Sequence, residues 1–389
     1  TRQSARVITF ADSGSKMKKR LVIAGGGHAH MMLLARIGDF VTHGCEVTVV
    51  GPSEHHYYSG MGPGLLGGTY RPEEIRFATR LVTEKLGGSF VQAKVSSIDH
   101  DGQRIGLDDG TQISYDYLSC NLGSQVPQEM VSGSLDDVFL VKPIERLLEA
   151  KHRILELGAA RKIKIGVVGG GPSAVEIAGN IWQLGSAPGM QSVEVNIFAG
   201  RKLMPDHPEG VRQRAIRILQ ERKIEILEGT RIESVQTGQL TAADGKVHKC
   251  DLIFIATGVK PSRVFRDSNM VCGPDGGLTV NSYLQSVNHP NIFGGGDCIH
   301  FADQPLDKVG VYAVRQNPIL VHNLLASITN QPLKPFDPGG SYLLIFNLGN
   351  RMGILHKWSV QFGGRLAFMI KDYIDRKFMR TFQEIESSP

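Results

Sequence analysis

The feature that most constrains the fold is a short device that occurs twice: an apolar run, a cluster of glycines, then a helical pattern. Leu21 to Ala24 runs into GGGHAH at Gly25 to His30, and MMLLARIGDF carries helical periodicity to Phe40. Glu46 to Val50 supplies the next strand and completes a βαβ unit of the size of a nucleotide-binding half. Lys164 to Val168 then runs into GGGPSAVEIAGNIW, followed by a strand at Val193 to Phe198, so that VIAGGGHAH and VVGGGPSAVE form an internal duplication. A G-x-G-x-x-G turn brings bare backbone N–H groups and a helix N-terminus against a pyrophosphate, where a side chain would block approach. The first cluster fits at Gly25 and Gly27 with His30 in the third place, and the second fits at Gly169 and Gly171 with Ala174 there. A tight turn that binds nothing is the plainer alternative, and its recurrence in one chain weakens it. Two dinucleotide sites are expected.

At 389 residues the chain exceeds one ordinary domain. Lys+Arg 43 against Asp+Glu 38 gives a scattered +5, which argues against a nucleic-acid partner. The five cysteines, Cys45, Cys120, Cys250, Cys272 and Cys298, include no C-x-x-C, so neither a zinc ribbon nor a disulfide scaffold is expected, and a reducing compartment fits best. No apolar run reaches the roughly 20 residues of a membrane span, so the chain reads as soluble and cytoplasmic. Residues 1–16 read as a tail without a role in the fold, with Met17-Lys18-Lys19-Arg20 resembling a natural start.

Between the glycine clusters, Phe90 to Ile98, Thr111 to Leu118 and Lys246 to Ala256 alternate like strands. Two of these lead into similar turns, CNLGS at Cys120 to Ser124 and IATGVKP at Ile255 to Pro261. PNIFGGGDCIHF from Pro290 reads as a strand ending in glycines and an aspartate. Val309 to Ser327 reads as a long helix and Gln331 to Gly340 as a linker. The remainder reads as a hairpin, LLIFNLGNRMGILHKW, and an amphipathic helix from Gly364 to Phe382.

The order of GGGHAH, CNLGS, GGGPSAVE, IATGVKP and IFGGGDC resembles the pyridine nucleotide-disulfide oxidoreductase superfamily. HYYSGMGPGLLGGTY at His56 to Tyr70, VKP at Val141 to Pro143, GVYAVRQNPIL at Gly310 to Leu320 and KDYIDRKFMRTF at Lys371 to Phe382 resemble its type II NADH-dehydrogenase-like branch, related to the flavoprotein found fused to selenide, water dikinase. The resemblance implies an α/β fold with two Rossmann-like dinucleotide-binding domains, for FAD and NAD(P)H, and a small C-terminal α+β tail unit. The expected boundaries are 17–145 and 263–335 for the two parts of the FAD domain, 146–262 for the NAD(P)H domain and 336–389 for the C-terminal unit. It further implies that Gly25, Gly26, Gly27, His28, Ser53, Val95, Gly123, Gly296 and Asp297 contact FAD, Asp297 on the ribityl chain. Gly169, Gly171, Pro172, Ser173, Arg201 and Gly258 would contact the nicotinamide nucleotide, and Glu176, Lys142 and Arg315 would stand near the flavin. A glutamate stabilised by a helix start, a surface lysine and a solvated arginine are the plainer readings of those three.

The departures carry information. Gly51 and Ala199 occupy the places where an acidic residue ordinarily meets the ribose, which leaves Ser53 or Glu54 for FAD. Ala199-Gly200-Arg201-Lys202 offers two cations, suited to a 2′-phosphate or to weak nicotinamide binding. The cysteines that disulfide and sulfide:quinone reductases use are missing, and paired glutamines of type II NADH dehydrogenases are replaced by Val311 and Arg315. Arg315 at a helix start facing the flavin could favour the reduced anion by ~1 to 2 kcal/mol. His28, His30, His55 and His56 crowd this region without ligand spacing, so no metal is expected.

The functional expectation is an FAD-dependent oxidoreductase that passes electrons from NAD(P)H to a quinone or another small-molecule acceptor. A flavoprotein of selenium or sulfur metabolism coupled to a protein partner, and a flavin-binding module without turnover, stay open, as does a homodimer. On the tail helix, Leu366, Met369, Ile370, Tyr373, Ile374 and Phe378 form one apolar face, and Arg365, Lys371, Arg376, Lys377 and Arg380 make the segment basic. That face either packs on the FAD domain or rests on the inner face of a membrane beside a quinone entrance.

Overall fold

The computed structural model describes residues 18–387, and the expected tail at 1–16 lies outside them. Each glycine-bearing strand stands at the middle of a five-stranded parallel sheet. The first has the order Ile292–Gly294, Tyr117–Cys120, Lys19–Ala24, Cys45–Gly51, Ser89–Gln92. The second has the order Val138–Leu140, Leu252–Ile255, Ile163–Val168, Val193–Ala199, Glu225–Glu228. In both, strand order reverses beside the glycine strand, which opens a crevice at its carboxyl end. Both sheets also carry an antiparallel meander. It consists of Val95–Asp99, Arg104–Leu107 and Gln112–Ser114 in the first unit, and of Ile232–Gln236, Gln239–Ala242 and Val247–Lys249 in the second. The duplication therefore extends from a turn to a whole domain.

Three elements depart from the sequence expectation. The alternating stretch Phe90 to Ile98 divides, because Ser89–Gln92 joins the parallel sheet and Val95–Asp99 begins the meander. Val138–Leu140 pairs with Ile253 to Ile255, so the chain has reached the second sheet before residue 145. A buried VFL triplet fits either sheet, and its periodicity does not say which. The helical run after the first turn breaks at Arg36 into Met31–Ala35 and Ile37–Thr42.

Three helices position the site. Helix α1 (Pro172–Gly185) starts with proline in its first turn, where no backbone N–H is needed. Helix α2 (Gly310–Thr329) ends at Asn330 in the left-handed conformation, φ 56°. Helix α3 (Arg365–Ser387) runs past the expected end at Phe382 and follows a three-stranded sheet, Leu344–Asn347, Gly353–Lys357 and Val360–Gly364, in place of a simple hairpin. The tail unit belongs to both halves of the molecule: Phe346, Leu348, Ile354 and Met379 enter the core of the second sheet, and Phe382 enters that of the first.

The tail unit is pinned to the second domain at the turn 347–350. Arg222 donates to the carbonyls of Leu348 and Gly349 and lies 4.3 Å over the Trp182 ring. Burial lowers its pKa to about 10. The Asn180 side chain donates to Asn347 O (2.9 Å), and Asn350 N donates to Gln183 Oε1 (2.6 Å). Replacing Arg222 with Ala leaves these carbonyls without their charged donor. A fall of ~2 to 3 kcal/mol in unfolding free energy is expected in urea titration, and a change under ~0.5 kcal/mol would contradict this role.

Candidate functional site

The two glycine turns are built alike. Gly25 (φ 91°) and Gly169 (φ 143°) adopt left-handed conformations, and a Cβ on either would collide with a carbonyl of the neighbouring strand end, Asn121 O and Ala256 O respectively. Gly25 N bonds Val50 O (2.7 Å) and Gly169 N bonds Phe198 O (2.9 Å). Asn121 N bonds Ala24 O (2.8 Å) and Ala256 N bonds Val168 O (2.7 Å). His30, in the place of a third glycine, turns inward. Its Nδ1–H donates to Gly25 O (2.6 Å), and Nε2 accepts from the Ser119 hydroxyl (2.8 Å). Burial lowers its pKa to about 4, so it is a neutral brace for the turn.

At the carboxyl end of the first sheet, Asp297 Oδ2 accepts from Ser124 Oγ (2.6 Å) and Lys142 Nζ (2.7 Å), and Lys142 also reaches Ser124 (3.1 Å). Burial opposes ionisation of Asp297, but the Lys142 charge and the two hydrogen bonds outweigh it and hold its pKa below the usual value. Nearby, two buried side-chain nitrogens lack partners, Asn121 Nδ2 and His28 Nε2. His28 lies beside His56 and Tyr58, and burial lowers its pKa to about 4. No protein atom stands within 4 Å of the Cβ positions at Gly123, Gly171 or Gly258. Bare turns, open space, an anchored carboxylate and unspent buried nitrogens suit a dinucleotide, so the residues present fit FAD on the first turn. Gly26 packs against Thr79, and Gly296 donates its N–H to Gln316 Oε1 (2.7 Å). Ser53 Oγ accepts from His55 N (3.3 Å), and Glu54 is paired with Arg80 (2.9 Å). Val95 lies in the outer meander opposite Leu107, away from the main cavity.

A cavity of about 1010 Å³ joins the two domains and the tail unit. His28 reaches it from the first domain, Pro172, Ser173, Glu176 and Gly258 from the second, and Lys142 from the segment that follows Val138–Leu140. Glu176 Oε1 accepts the Asn347 N–H (2.7 Å). Desolvation raises its pKa to about 7, although Lys371 and the Asn347 bond pull the other way, and its accessible surface faces the cavity. Beside it Lys371 Nζ donates to Asp375 (2.7 Å) and Gly60 O (2.8 Å), and the Tyr58 hydroxyl donates to Asp375 Oδ1 (3.2 Å). Lys371 and Asp375 are both buried. Burial opposes the Lys371 charge, yet Asp375 and Glu176 keep its pKa above the ordinary value.

This corrects the reading of the tail helix. Lys371 belongs to the buried face with Ala367, Phe368, Asp375 and Met379. Leu366, Met369, Tyr373 and Ile374 remain exposed and do not pack on the FAD domain. The helical period marks an apolar stripe but does not say whether protein covers it. The spacing of Lys371 and Asp375 by four residues was the available signal of a second face. Arg315 lines the cavity, but its guanidinium binds the linker carbonyls of Pro338 and Gly340, the latter at 3.3 Å. Arg201 is exposed at the end of Val193–Ala199. The cavity wall also carries apolar side chains, among them Val311, Leu344, Phe346, Ile374 and Phe378. Among the described residues no group of three or more His, Cys, Asp or Glu could hold a metal ion, and the five cysteines are free. No described helix is long and apolar enough to cross a membrane.

The family described as pyridine nucleotide-disulphide oxidoreductase matches residues 19–323. Ferroptosis suppressor protein 1 of Taeniopygia guttata is 26% identical over 348 residues, 86% of this chain and 87% of that protein. Demethylphylloquinone reductase NdbB of Synechocystis is 26% identical over 371 residues, 91% and 90% of the two chains. The fold is that of NDH2 from Plasmodium falciparum in complex with NADH, with TM-score 0.76 at 15% identity, covering 94% of this chain and 100% of that one. Replacing Asp297 with Ala strands Lys142 and removes the buried acceptor. FAD retention should weaken by ~1 to 3 kcal/mol, read from the fluorescence of released flavin, and unchanged retention would refute the assignment.

Proposed function

The chain belongs to the pyridine nucleotide-disulphide oxidoreductase family, and we propose that it is an FAD-dependent NAD(P)H dehydrogenase that delivers electrons to a quinone. The observation that carries this reading is a single cavity whose wall comes from both nucleotide domains and the tail unit. The second glycine-turn helix and Gly258 supply the part where a nicotinamide would lie. Val311, Leu344, Phe346, Ile374 and Phe378 supply apolar surface that suits a quinone ring and tail. FAD, when bound, supplies the chemistry that links them, taking two electrons as hydride and giving them up to the acceptor. Demethylphylloquinone reductase among the relatives supports a quinone at this apolar surface.

The chain's own residues hold the reactants and manage protons. Asp297, anchored by Lys142 and Ser124, is placed to accept from a ribityl hydroxyl. Reduction of a quinone to a quinol takes up two protons, and Glu176 is a carboxyl with a pKa of about 7 in the cavity wall. Asn347 occupies Oε1, leaving Oε2 to carry the proton. Lys371, held by Asp375, supplies a fixed positive charge beside a carboxylate that has just lost its proton.

This apolar surface meets the exposed strip of α3, because Ile374 belongs to both. Leu366, Met369 and Tyr373 continue the strip, and Arg365, Lys377 and Arg380 are exposed around it. Such a surface lies on anionic lipid, each cation adding ~1 kcal/mol, and gives a lipid-phase quinone a short path.

In rapid mixing, NAD(P)H should bleach the flavin and a soluble quinone should restore its colour; absence of bleaching with both NADH and NADPH would overturn the reading. Glu176 holds its proton below about pH 7 and loses it above, so quinone-driven reoxidation should slow as pH rises through 7. Glu176→Gln should abolish that inflection, and an inflection that persists would remove Glu176 from the proton path. Sedimentation with anionic liposomes should carry the protein down at low salt and release it at high salt. Binding only to neutral vesicles, or to none, would contradict the membrane surface.

A further inference from the structure

The loop that follows Val193–Ala199 carries a second piece of chemistry. In a Rossmann unit the end of this strand meets the ribose of the dinucleotide, with a carboxylate reading its 2′-hydroxyl or an arginine accommodating a 2′-phosphate. Here the strand ends in Ala199, which is fully buried, and the loop folds onto the glycine turn itself: Met204 N donates to Gly170 O (2.6 Å). Arg201 follows Gly200 in the chain, and Arg231, which arrives from the adjacent strand connection, packs beside it. A Cβ on Gly200 would lie 3.7 Å from both Cα and Cβ of Arg231. Both arginines are exposed, and neither guanidinium has a hydrogen bond or ion pair among the described residues.

A carboxylate does stand in register with Ala199, on the neighbouring strand: Glu228. It is turned to other work. Glu228 Oε1 accepts from Leu203 N (2.7 Å) and Arg212 Nη2 (2.8 Å), and Arg212 is fixed in turn by Glu209 (2.9 Å) and Leu203 O (3.0 Å). The acid that could read an unmodified ribose is thus part of the loop's own scaffold, while two arginines with unpaired guanidinium groups stand beside Gly200. We infer that the second turn selects a dinucleotide bearing a 2′-phosphomonoester, NADPH over NADH, with Arg201 and Arg231 as the phosphate-binding pair. Guanidinium groups match the oxygens of a phosphate dianion in charge and geometry, whereas a neutral ribose offers them only hydroxyl acceptors without charge.

This inference rests on the reading that the second turn binds a nicotinamide nucleotide, and the two can fail separately. Calorimetric titration of the FAD-loaded protein with adenosine 2′,5′-bisphosphate and with adenosine 5′-monophosphate isolates the phosphate from hydride chemistry. The bisphosphate should bind about tenfold tighter or better, with a margin that shrinks at high salt and disappears in the Arg201→Ala/Arg231→Ala double variant. Glu228→Gln should leave the margin in place. Rapid mixing should show NADPH bleaching the flavin at lower concentration than NADH. Equal binding of the two adenosine probes, or a margin that survives loss of both arginines, would overturn the inference. A margin without bleaching by NADPH or NADH would support the phosphate site and overturn the hydride-transfer reading beneath it.

Discussion

The hydrogen bond from the Asn347 amide to the Glu176 carboxyl ties the tail unit to the helix of the second glycine turn, and the site depends on it. Glu176 belongs to the helix that opens at the second glycine turn, and Asn347 belongs to the tail unit, which also delivers Lys371. The bond forms only because the turn at 347–350 is clamped by Arg222, Asn180 and Gln183. With the clamp in place α3 spans both cores, and its buried face closes the cavity over the crevice between the two sheets. Neither nucleotide domain alone completes the cavity, whose wall takes Leu344, Phe346, Ile374 and Phe378 from the tail unit.

Burial of Lys371 and Asp375 would be costly for either group by itself. Together with Tyr58 and the Gly60 carbonyl they satisfy one another, and the remaining field acts on Glu176. Desolvation outweighs the Lys371 charge and the Asn347 bond there, which raises the carboxyl's pKa to about 7, where it can exchange a proton in either direction. The competition runs the other way at Asp297. Its lysine touches it directly and a hydroxyl adds a second bond, so it stays ionised as a fixed acceptor.

Legibility in the sequence followed the range of the physics. The glycine turns were plain, because a positive φ and a close carbonyl at Gly25 and Gly169 are local demands that only glycine meets. The resemblance placed Glu176, Lys142 and Asp297, and the structure brings the last two into direct contact and sets Glu176 in the wall of the cavity that Lys142 also lines. His30 looked like a flaw in the motif, and its role needed Ser119 from a distant strand. Lys371 was counted with the residues that make the tail segment basic, whereas its burial depends on Asp375, Tyr58 and Gly60. Tyr58 lay inside the motif at His56 to Tyr70 without an assigned role, and Asn347 gave no signal, since each acts across a tertiary contact.

In the proposed function electrons enter and leave one cavity through different parts of its wall. Ile374 is the residue to test this with, for it lines the cavity and is 42% exposed, so a polar replacement need not disturb the core. The two half-reactions of an Ile374→Arg variant can be followed separately by rapid mixing. Bleaching by NAD(P)H should stay within about twofold of the unaltered protein, and reoxidation by a soluble quinone should slow about tenfold or more. Reoxidation at the original rate, or an equal loss in both halves, would contradict it.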